Sequence, residues 1–304
     1  QKTAYEIPKR DWSSDVCSSD LMSKKVSYSF EFFPPNTPEG IKNLADTRQQ
    51  LSAFKPEFYS VTFGAGGSTR DRTLETVLEI KKEGFNAVPH ISGISSTKAE
   101  IKTLLDQYQQ HNIRHLVALR GDVPQGEVPS GEFRHANELV SFIRQETNDY
   151  FHIEVAAYPE YHPEAASAQI DIQNFKNKVA AGANSAITQF FFNADAYFRF
   201  MNECLIADID VPVIPGVMPI YNIKQLARFA SNCGAEIPRW LRIKLESYGD
   251  DLPSLRSYGV DVISELCEVL IGWDVPSLHF YTLNQAGIIS RIIQIGRASC
   301  RERV

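Results

Sequence analysis

Short runs of apolar residues alternate with longer segments of helical periodicity from Ser27 onward. The first run ends at Pro34 and Pro35, and proline cannot continue a central strand because it lacks the N–H that the ladder needs. Each run is followed by a helix or a helix-bearing segment. The predicted strands are 27–33, 58–63, 87–91, 115–120, 152–158, 185–191, 212–218 and 277–283.

The segments between the runs predict helices, and several of their ends carry capping residues. Thr37 suits an N-cap, with Pro38 at the first helical position. Gly84 and Gly182 each follow a predicted helix, where a C-terminal glycine is expected. The predicted helices lie at about 38–54, 68–83, 97–111, 135–147, 163–181, 194–206, 222–231 and 254–270, with one more beginning near 284.

The alternation of strands and helices predicts the fold. Strict β–α order indicates a parallel sheet, and near-continuous apolar strands indicate a sheet that is covered on both faces. Eight such units in about 270 residues predict a single-domain (β/α)₈ TIM barrel. An open, doubly wound α/β sheet stays the alternative, because periodicity does not show whether the sheet closes.

The two ends of the chain differ from the part between them. Residues 1–21 and 296–304 are polar and carry no sustained periodicity. Met22 stands just before the first strand and is a plausible native start. We therefore predict a barrel domain at 22–295, flanked by an N-terminal extension (1–21) and a C-terminal tail (296–304) that are foreign to it.

Composition narrows the function classes. A hydrophobic content of 43% and a charged content of 22% are typical of a soluble globular protein. A net charge of -6 and the absence of a long apolar run predict neither a nucleic-acid nor a membrane partner. The five cysteines are widely spaced without a C-x-x-C pair, which favours a reducing, cytoplasmic setting.

Polar residues recur at the carboxyl ends of the predicted strands, where barrel enzymes carry their active sites. Glu31 is the most notable, because an unpaired carboxylate in an apolar strand is costly unless it has a partner or a role in proton chemistry. Each residue alone is commonly structural, but their recurrence predicts a functional rim. The rim residues are Glu31, Thr62, His90, Asp122, Tyr158, Gln189 and Thr282.

Other motifs give no further site. The glycine-rich stretch 64–69 follows a strand, but Thr69 stands where a dinucleotide fingerprint needs its third glycine, and no Walker lysine follows. A tight turn is at least as good an interpretation as a phosphate site. His111 and His115 have helical spacing, yet they span a helix end and a strand start, so the motifs predict no metal site.

The residues at the strand ends resemble those of the short bacterial 5,10-methylenetetrahydrofolate reductases. The resemblance implies a (β/α)₈ barrel that binds FAD non-covalently. In this family NAD(P)H reduces the flavin, and methylenetetrahydrofolate then takes its place on the same flavin face and becomes 5-methyltetrahydrofolate. The matching stretches, in family order, are 29–35, 60–65, 89–90, 117–122, 155–160, 162–165, 181–184, 187–192, 214–216 and 279–284.

The resemblance also implies roles for individual residues. Glu31 matches the general acid that protonates N10 of the folate as the methylene bridge opens, and an apolar environment favours the neutral acid that this step needs. Asp122 matches the acidic residue beside flavin and pterin, whose charge stabilises the iminium cation. The other substrate positions are Thr62, Gln189, Gln225, Phe229 and Gln285.

The implied FAD site draws on several strands and helices. Arg120 and Lys178 are expected to serve the diphosphate, while Tyr158 and His162 are expected to pack or hydrogen-bond against the cofactor. The implied positions are Thr62, Ala65, His90, Arg120, Gly121, Asp122, Ala136, Tyr158, His162, Ala165, Asp171, Asn174 and Lys178. The family also implies a homo-oligomer.

The sequence departs from the family pattern at Asn177, where a basic FAD contact is expected, at Gln285, where an arginine near the folate glutamate tail is expected, and at Phe63, where a tyrosine is expected. Two other function classes stay open on the residues alone. One is a flavin-free lyase or aldolase using Glu31 and Asp122 as acid and base. The other is a non-catalytic binding barrel.

Overall fold

The computed structural model describes residues 26–64, 69–122 and 131–302, with side chains as far as residue 295. Within these residues nine β-strands form one parallel sheet. The strands are β1 (Ser27–Phe32), β2 (Phe58–Val61), β3 (Ala87–Ser92), β4 (His115–Leu119), β5 (His152–Ala157), β6 (Ser185–Thr188), β7 (Val213–Ile214), β8 (Gly216–Val217) and β9 (Ser277–Tyr281).

The sheet closes on itself, which confirms the (β/α)₈ barrel. Its strand order is β7-β6-β5-β4-β3-β2-β1-β9-β8, so β1 pairs with both β2 and β9. The predicted seventh strand, 212–218, is wrong as one continuous element, since it is split at Pro215 into β7 and β8. Proline has no N–H to give to the ladder, so β7 pairs with β6 and β8 pairs with β9.

Helices follow the strands in chain order. Thr37 and Thr97 cap their helices as N-cap residues, with hydroxyls that accept from Gly40 N and Glu100 N. The helices are α1 (Pro38–Ser52), α2 (Arg70–Lys82), α3 (Lys98–Gln110), α4 (Ala136–Thr147), α5 (Ala168–Ala180), α6 (Ala194–Ile206), α7 (Ile223–Cys233), α8 (Arg239–Ser247), α9 (Leu252–Gly272) and α10 (Gly287–Glu302).

Two helical segments differ from the sequence prediction. The helix predicted from 163 begins only at Ala168, because Ser167 provides the cap by accepting from Ile170 N. Residues 158–167 form a loop instead. Helix α8 was not predicted, although Leu241 and Leu245 are buried four residues apart, as on an amphipathic helix.

The C-terminal helix runs past the predicted domain boundary. α10 continues through residue 295 to Glu302, so part of the predicted tail, 296–302, is helical. The foreign origin of the two ends stays a prediction, and residues 1–21 lie outside the described part. None of the helices in that part is both long and apolar enough to cross a bilayer.

Side chains along each strand point alternately to the two faces of the sheet, and this produces two hydrophobic clusters. Phe30 and Phe32 of β1 pack with Leu44 and Leu51 of α1 in the shell between sheet and helices. A smaller cluster, contributed by five strands, fills part of the barrel interior with Phe58, Val88, Val117, Ile187 and Ile214. Since Glu31 alternates with Phe30 and Phe32, its side chain lies on the interior face.

Candidate active site

Glu31 lies near the carboxyl end of β1, and its side chain is 14% exposed. Its Oε2 is 3.4 Å from Nε2 of His90 and 3.8 Å from Nε2 of His279. Both rings are buried, and neither Nε2 has a hydrogen-bond partner among the described residues. One carboxylate oxygen therefore stands between two imidazole nitrogens, an arrangement suited to holding or transferring a proton.

The two histidines differ in their surroundings. Nδ1 of His279 is hydrogen-bonded to Oγ of Ser29 at 2.7 Å, and either atom can be the donor. Burial lowers the pKa of His90 below its ordinary value, against the opposing effect of the Glu31 charge. His90 is therefore neutral near pH 7, and its Nε2 can accept or donate, depending on the tautomer.

The turn after β9 holds the end of β1 in place. Asn284 accepts a hydrogen bond from Phe33 N at 2.8 Å and donates to Phe33 O at 2.9 Å through its side-chain amide. Asn284 takes a left-handed backbone, with φ 56°. The Thr282 hydroxyl donates to the backbone carbonyl of Glu31. Thr282 is therefore a structural member of the rim, and the turn positions Glu31.

Two tyrosines connect Glu31 to the other side of the rim. Burial, and then the Glu31 charge, raise the pKa of Tyr281 well above its ordinary value. Its hydroxyl donates to the backbone carbonyl of Thr188 at 2.7 Å. Burial, and then the Asp122 charge, likewise raise the pKa of Tyr158. The predicted catalytic pair, Glu31 and Asp122, thus faces one cluster of neutral phenols, with Asp122 on the exposed side.

The end of β4 presents Arg120, Gly121 and Asp122 to the rim. Gly121 has φ 86°, and an added Cβ would meet Oγ of Ser92 at 1.8 Å, so only glycine fits this turn. The Arg120 guanidinium pairs with both carboxylate oxygens of Glu164. A guanidinium that pairs with both oxygens of a carboxylate can bind another anion in the same way, if that anion displaces Glu164.

Helix α5 and the loop before it gather four of the predicted FAD residues. The rings of Tyr158 and His162 meet edge to face at 4.6 Å. The backbone N–H of His162 donates to Oδ2 of Asp171 at 3.0 Å. The ammonium group of Lys178 donates to Ala156 O at 2.6 Å and lies 5.9 Å from the Tyr158 ring centre. Burial lowers the pKa of Lys178 to about 8.

Helix α7 borders two neighbouring clefts. One is lined by Tyr158 and Gln189 together with Cys233, and the other by Gln225 and Phe229. Gln225 and Phe229 are one helical turn apart, so their side chains lie on one face of α7. Of the three predicted substrate residues here, Gln189 therefore lies beside Tyr158, whereas Gln225 and Phe229 share the second cleft.

The remaining predicted residues are more scattered. Thr62 is half-buried after β2, and Ala136 begins α4. Ala165 lies in the loop before α5, whereas Asn174 and Gln285 are exposed. No hydrogen bond in the described part of the chain joins these five side chains to the Glu31 cluster, and their site roles stay predictions. Ala65 lies outside the described residues.

The sequence prediction missed four residues of this site: Ser29, His279, Tyr281 and Asn284. All four appeared only as members of the family stretches 29–35 and 279–284. Their signal was strand alternation, since Ser29 lies two residues before Glu31 and His279 two before Tyr281, on the same interior faces. Asn284 could not be found this way, because its contact with Phe33 joins residues 251 apart in the chain.

Comparison with known proteins confirms the family resemblance. The family model for methylenetetrahydrofolate reductase matches residues 17–296. The 5,10-methylenetetrahydrofolate reductase of Salmonella typhimurium is 43% identical over 264 residues, which are 86% of this chain and 88% of that protein. That of Buchnera aphidicola subsp. Schizaphis graminum is 39% identical over 275 residues, 89% of this chain and 92% of that protein.

A solved structure supports the same fold. A Clostridium thermocellum protein, described as binding two copies of 5-methyl-5,6,7,8-tetrahydrofolic acid, superposes with a TM-score of 0.64 at 18% identity. The match covers 91% of this chain and 96% of that one, and shows a shared barrel. With the family model matching almost the whole chain, the protein belongs to the methylenetetrahydrofolate reductase family and is an oxidoreductase that reduces methylenetetrahydrofolate.

Proposed function

We propose that the chain reduces 5,10-methylenetetrahydrofolate to 5-methyltetrahydrofolate with NAD(P)H, using non-covalent FAD in a ping-pong mechanism on one flavin face. This step belongs to one-carbon metabolism and methionine synthesis in the cytoplasm. The observation that carries the proposal is the placement of the Glu31 carboxylate between His90 and His279 at the barrel rim. Family membership supports the substrate, and the rim chemistry supports the route.

Glu31 is the proton donor in this proposal. Its neutral acid would protonate N10 of the folate and open the methylene bridge, leaving an iminium at N5. His90 and His279, whose Nε2 atoms both face Oε2 of Glu31, would hold the proton of the neutral acid in place by accepting a hydrogen bond from it, and Glu31 would take its next proton from solvent. Asp122, at the exposed edge of the rim, would stabilise the positive charge on the folate.

The residues around Tyr158 fit the chemistry of FAD. Arg120 and Lys178 are both cations, and the charges of both act on His162, so they lie near one centre. They supply the donors that a diphosphate needs, while Tyr158 and His162 offer ring surfaces. When bound, FAD would carry reducing equivalents from NAD(P)H to the folate. Phosphate binding at Arg120 would require exchange with Glu164.

The folate would lie along α7. Gln189 and Gln225 provide side-chain amides that can donate and accept hydrogen bonds, and Phe229 provides a ring that can stack on the substrate. The exposed Gln285 lies on the turn that positions Glu31 and would meet the glutamate tail with a neutral amide rather than a cation. Tail recognition would accordingly be less dependent on salt.

The decisive experiment is spectroscopic. The purified protein should be yellow, its flavin absorbance should be bleached by NADH, and methylenetetrahydrofolate should restore the absorbance. Double-reciprocal plots of initial rate against methylenetetrahydrofolate concentration, at several fixed NADH concentrations, should give parallel lines. A colourless protein that binds no added FAD would overturn the flavin mechanism and favour a flavin-free lyase or aldolase.

Assembly and coenzyme choice follow from separate measurements. We propose a homo-oligomer, which light scattering of the eluted protein should show as a mass above that of one 34.2 kDa chain. Comparing kcat/KM for NADH and NADPH would establish the preferred reductant.

A further inference from the structure

The opposite mouth of the barrel carries a second cluster of chemically active side chains. His115 and His152 are the first residues of β4 and β5, and Glu154 follows two residues later on β5. The ligand atoms of these three residues lie within 4.8 Å of one another. The two histidines begin their strands and so lie at the opposite end from the rim, whereas Glu154 lies further along β5, where Val117 separates it from His90 in the register.

Glu154 is a buried carboxylate with one oxygen free of hydrogen bonds among the described residues. Its side chain is only 2% exposed, and Oε2 has no hydrogen-bond partner among the described residues. Oε1 accepts a hydrogen bond from the Ser185 hydroxyl at 3.2 Å. A buried carboxylate with so few donors is costly, because desolvation is compensated only by a positive charge or several hydrogen bonds.

His115 faces Glu154 across the sheet. Its Nε2 is buried, has no hydrogen bond within the described residues, and lies 3.5 Å from Oε1 of Glu154. That separation is long for a hydrogen bond. It is close to the roughly 3.4 Å that separates two ligands of a tetrahedral ion bound at about 2.1 Å.

His152 completes the cluster at the solvent side. Its ring meets the His115 ring edge to face at 4.6 Å, and its Nε2 is hydrogen-bonded to Oγ of Ser185 at 2.7 Å. The residue is exposed, so an ion can enter from solvent. Phe58, whose ring meets His115 at 4.8 Å, provides an apolar wall on the other side.

We propose that His115, His152 and Glu154 bind a divalent transition-metal ion, Zn²⁺ in the first instance, at the amino-terminal mouth of the barrel. Two imidazoles and one carboxylate form a ligand set that suits zinc, and three protein ligands leave the fourth position to water. The motifs in the sequence predicted no metal site, and this proposal departs from that prediction. Metal uptake is measured without flavin or folate, so its test does not depend on the proposed reaction.

The first test measures binding to the complete protein. Protein freed of metal with a chelator is titrated with Zn²⁺ against a chromophoric competitor, and the bound metal is counted by mass spectrometry. We expect one ion per chain and a rise in melting temperature with Zn²⁺. Co²⁺ in its place should give the visible absorption of a tetrahedral site. Uptake well below one ion per chain would overturn the proposal.

The second test locates the ion. His152→Ala and Glu154→Gln should each weaken Zn²⁺ binding by at least about 100-fold, since even residues behind the ligands contribute about 10- to 100-fold. His111→Ala, which removes an exposed histidine at the end of α3, is the matched control and should bind as the unmodified protein does.

Folding of the variants is checked by circular dichroism. His152 is exposed, so its variant keeps the test decisive even if Glu154→Gln fails to fold. Variants that bind Zn²⁺ as tightly as the unmodified protein would show that the ion binds elsewhere, at a cysteine for example, and would refute the site.

Discussion

Oε2 of Glu31 lies 3.4 Å from Nε2 of His90, which makes the proposed acid and a neutral imidazole neighbours inside the barrel. His90 comes from β3, whereas Glu31 comes from β1, so β2 lies between them in the sheet. The closed sheet brings the two side chains together across the interior. This contact places beside the proposed proton donor a buried, neutral ring that can hydrogen-bond to its carboxyl group.

Replacing Glu31 by glutamine should separate the two half-reactions. NADH should still reduce the flavin in Glu31→Gln, because that step needs no proton at N10 of the folate. Reduction of methylenetetrahydrofolate should fall by about 10²- to 10⁴-fold, the usual contribution of general acid catalysis. Stopped-flow absorbance of each half-reaction provides the measurement. An equal loss in both half-reactions would refute the role of Glu31 as the acid.

The pH dependence of stability should report on His90. Burial lowers the pKa of His90 in the folded protein, whereas the unfolded chain takes up its proton near pH 6.5. The unfolded state therefore binds more protons below that pH, and His90 makes the folded protein less stable as the pH falls from about 7 to 5.

His90→Asn should lose less stability than the unmodified protein over this interval, as measured by urea unfolding at pH 7.5 and 5.5. His152 and His162, whose pKa values burial also lowers, remain in both proteins and contribute equally. His111→Asn is the control and should follow the unmodified protein. If His90→Asn shows the same acid-induced loss, His90 is not the group responsible.

The two hydrogen bonds between the Asn284 side chain and the Phe33 backbone can be tested with a pair of substitutions. Asn284→Gly removes both hydrogen bonds to Phe33 but keeps a left-handed backbone, and should cost about 1–2 kcal/mol in the free energy of unfolding. Asn284→Ala should cost about 1–2 kcal/mol more, because a Cβ is disfavoured at this φ of 56°. Urea unfolding measures the stability of both variants. A glycine variant as stable as the unmodified protein would show that the two hydrogen bonds to Phe33 do not stabilise the fold.

Lys178 should control FAD affinity through its charge. Its pKa of about 8 means that the free protein loses this charge as the pH rises from 7 to 9, so FAD binding should weaken over that range. Lys178→Met should bind FAD about 10- to 100-fold more weakly at pH 7, the effect of losing one hydrogen bond to a charged group. Fluorescence titration of FAD at each pH gives the measurement.

Lys176→Met provides the matched control, since this lysine lies on α5 only two residues away. It should leave FAD affinity near that of the original protein. Lys178→Met should also show a flatter pH profile. A profile as steep as that of the unmodified protein would assign the pH effect to another group.

Sequence pattern was sufficient for the architecture but not for its details. The apolar runs located all the strands, because strands covered on both faces have few polar residues. Pro215 sits inside one run as an apolar residue, so hydropathy did not reveal the break that its missing N–H causes. The start of α5 was placed too early because capping by Ser167 depends on a hydroxyl contact rather than on periodicity.

Some residues of the candidate site could likewise be predicted from the sequence, whereas the contacts between distant residues could not. Glu31 and His90 were predictable because a polar residue is conspicuous at the end of an apolar strand. The position of Asn284 against Phe33 depends on closure of the sheet between β1 and β9, which no local pattern encodes. The contact of His115 with Glu154 has the same origin, since the pairing of β4 with β5 sets His115 opposite His152 and so brings Glu154 diagonally across from His115.

The split at Pro215 makes the seventh strand the position where strand pairing around the barrel is shortest. β7 pairs with β6 and β8 pairs with β9, and each of these two strands is only two residues long. An added Cβ at Gly216 would meet Thr188 O at 2.2 Å, so the backbones of β6 and β8 approach closely there. We therefore expect the barrel to open first along this line, and the amides of Ile214 and Val217 to exchange with solvent before those of β1 or β4.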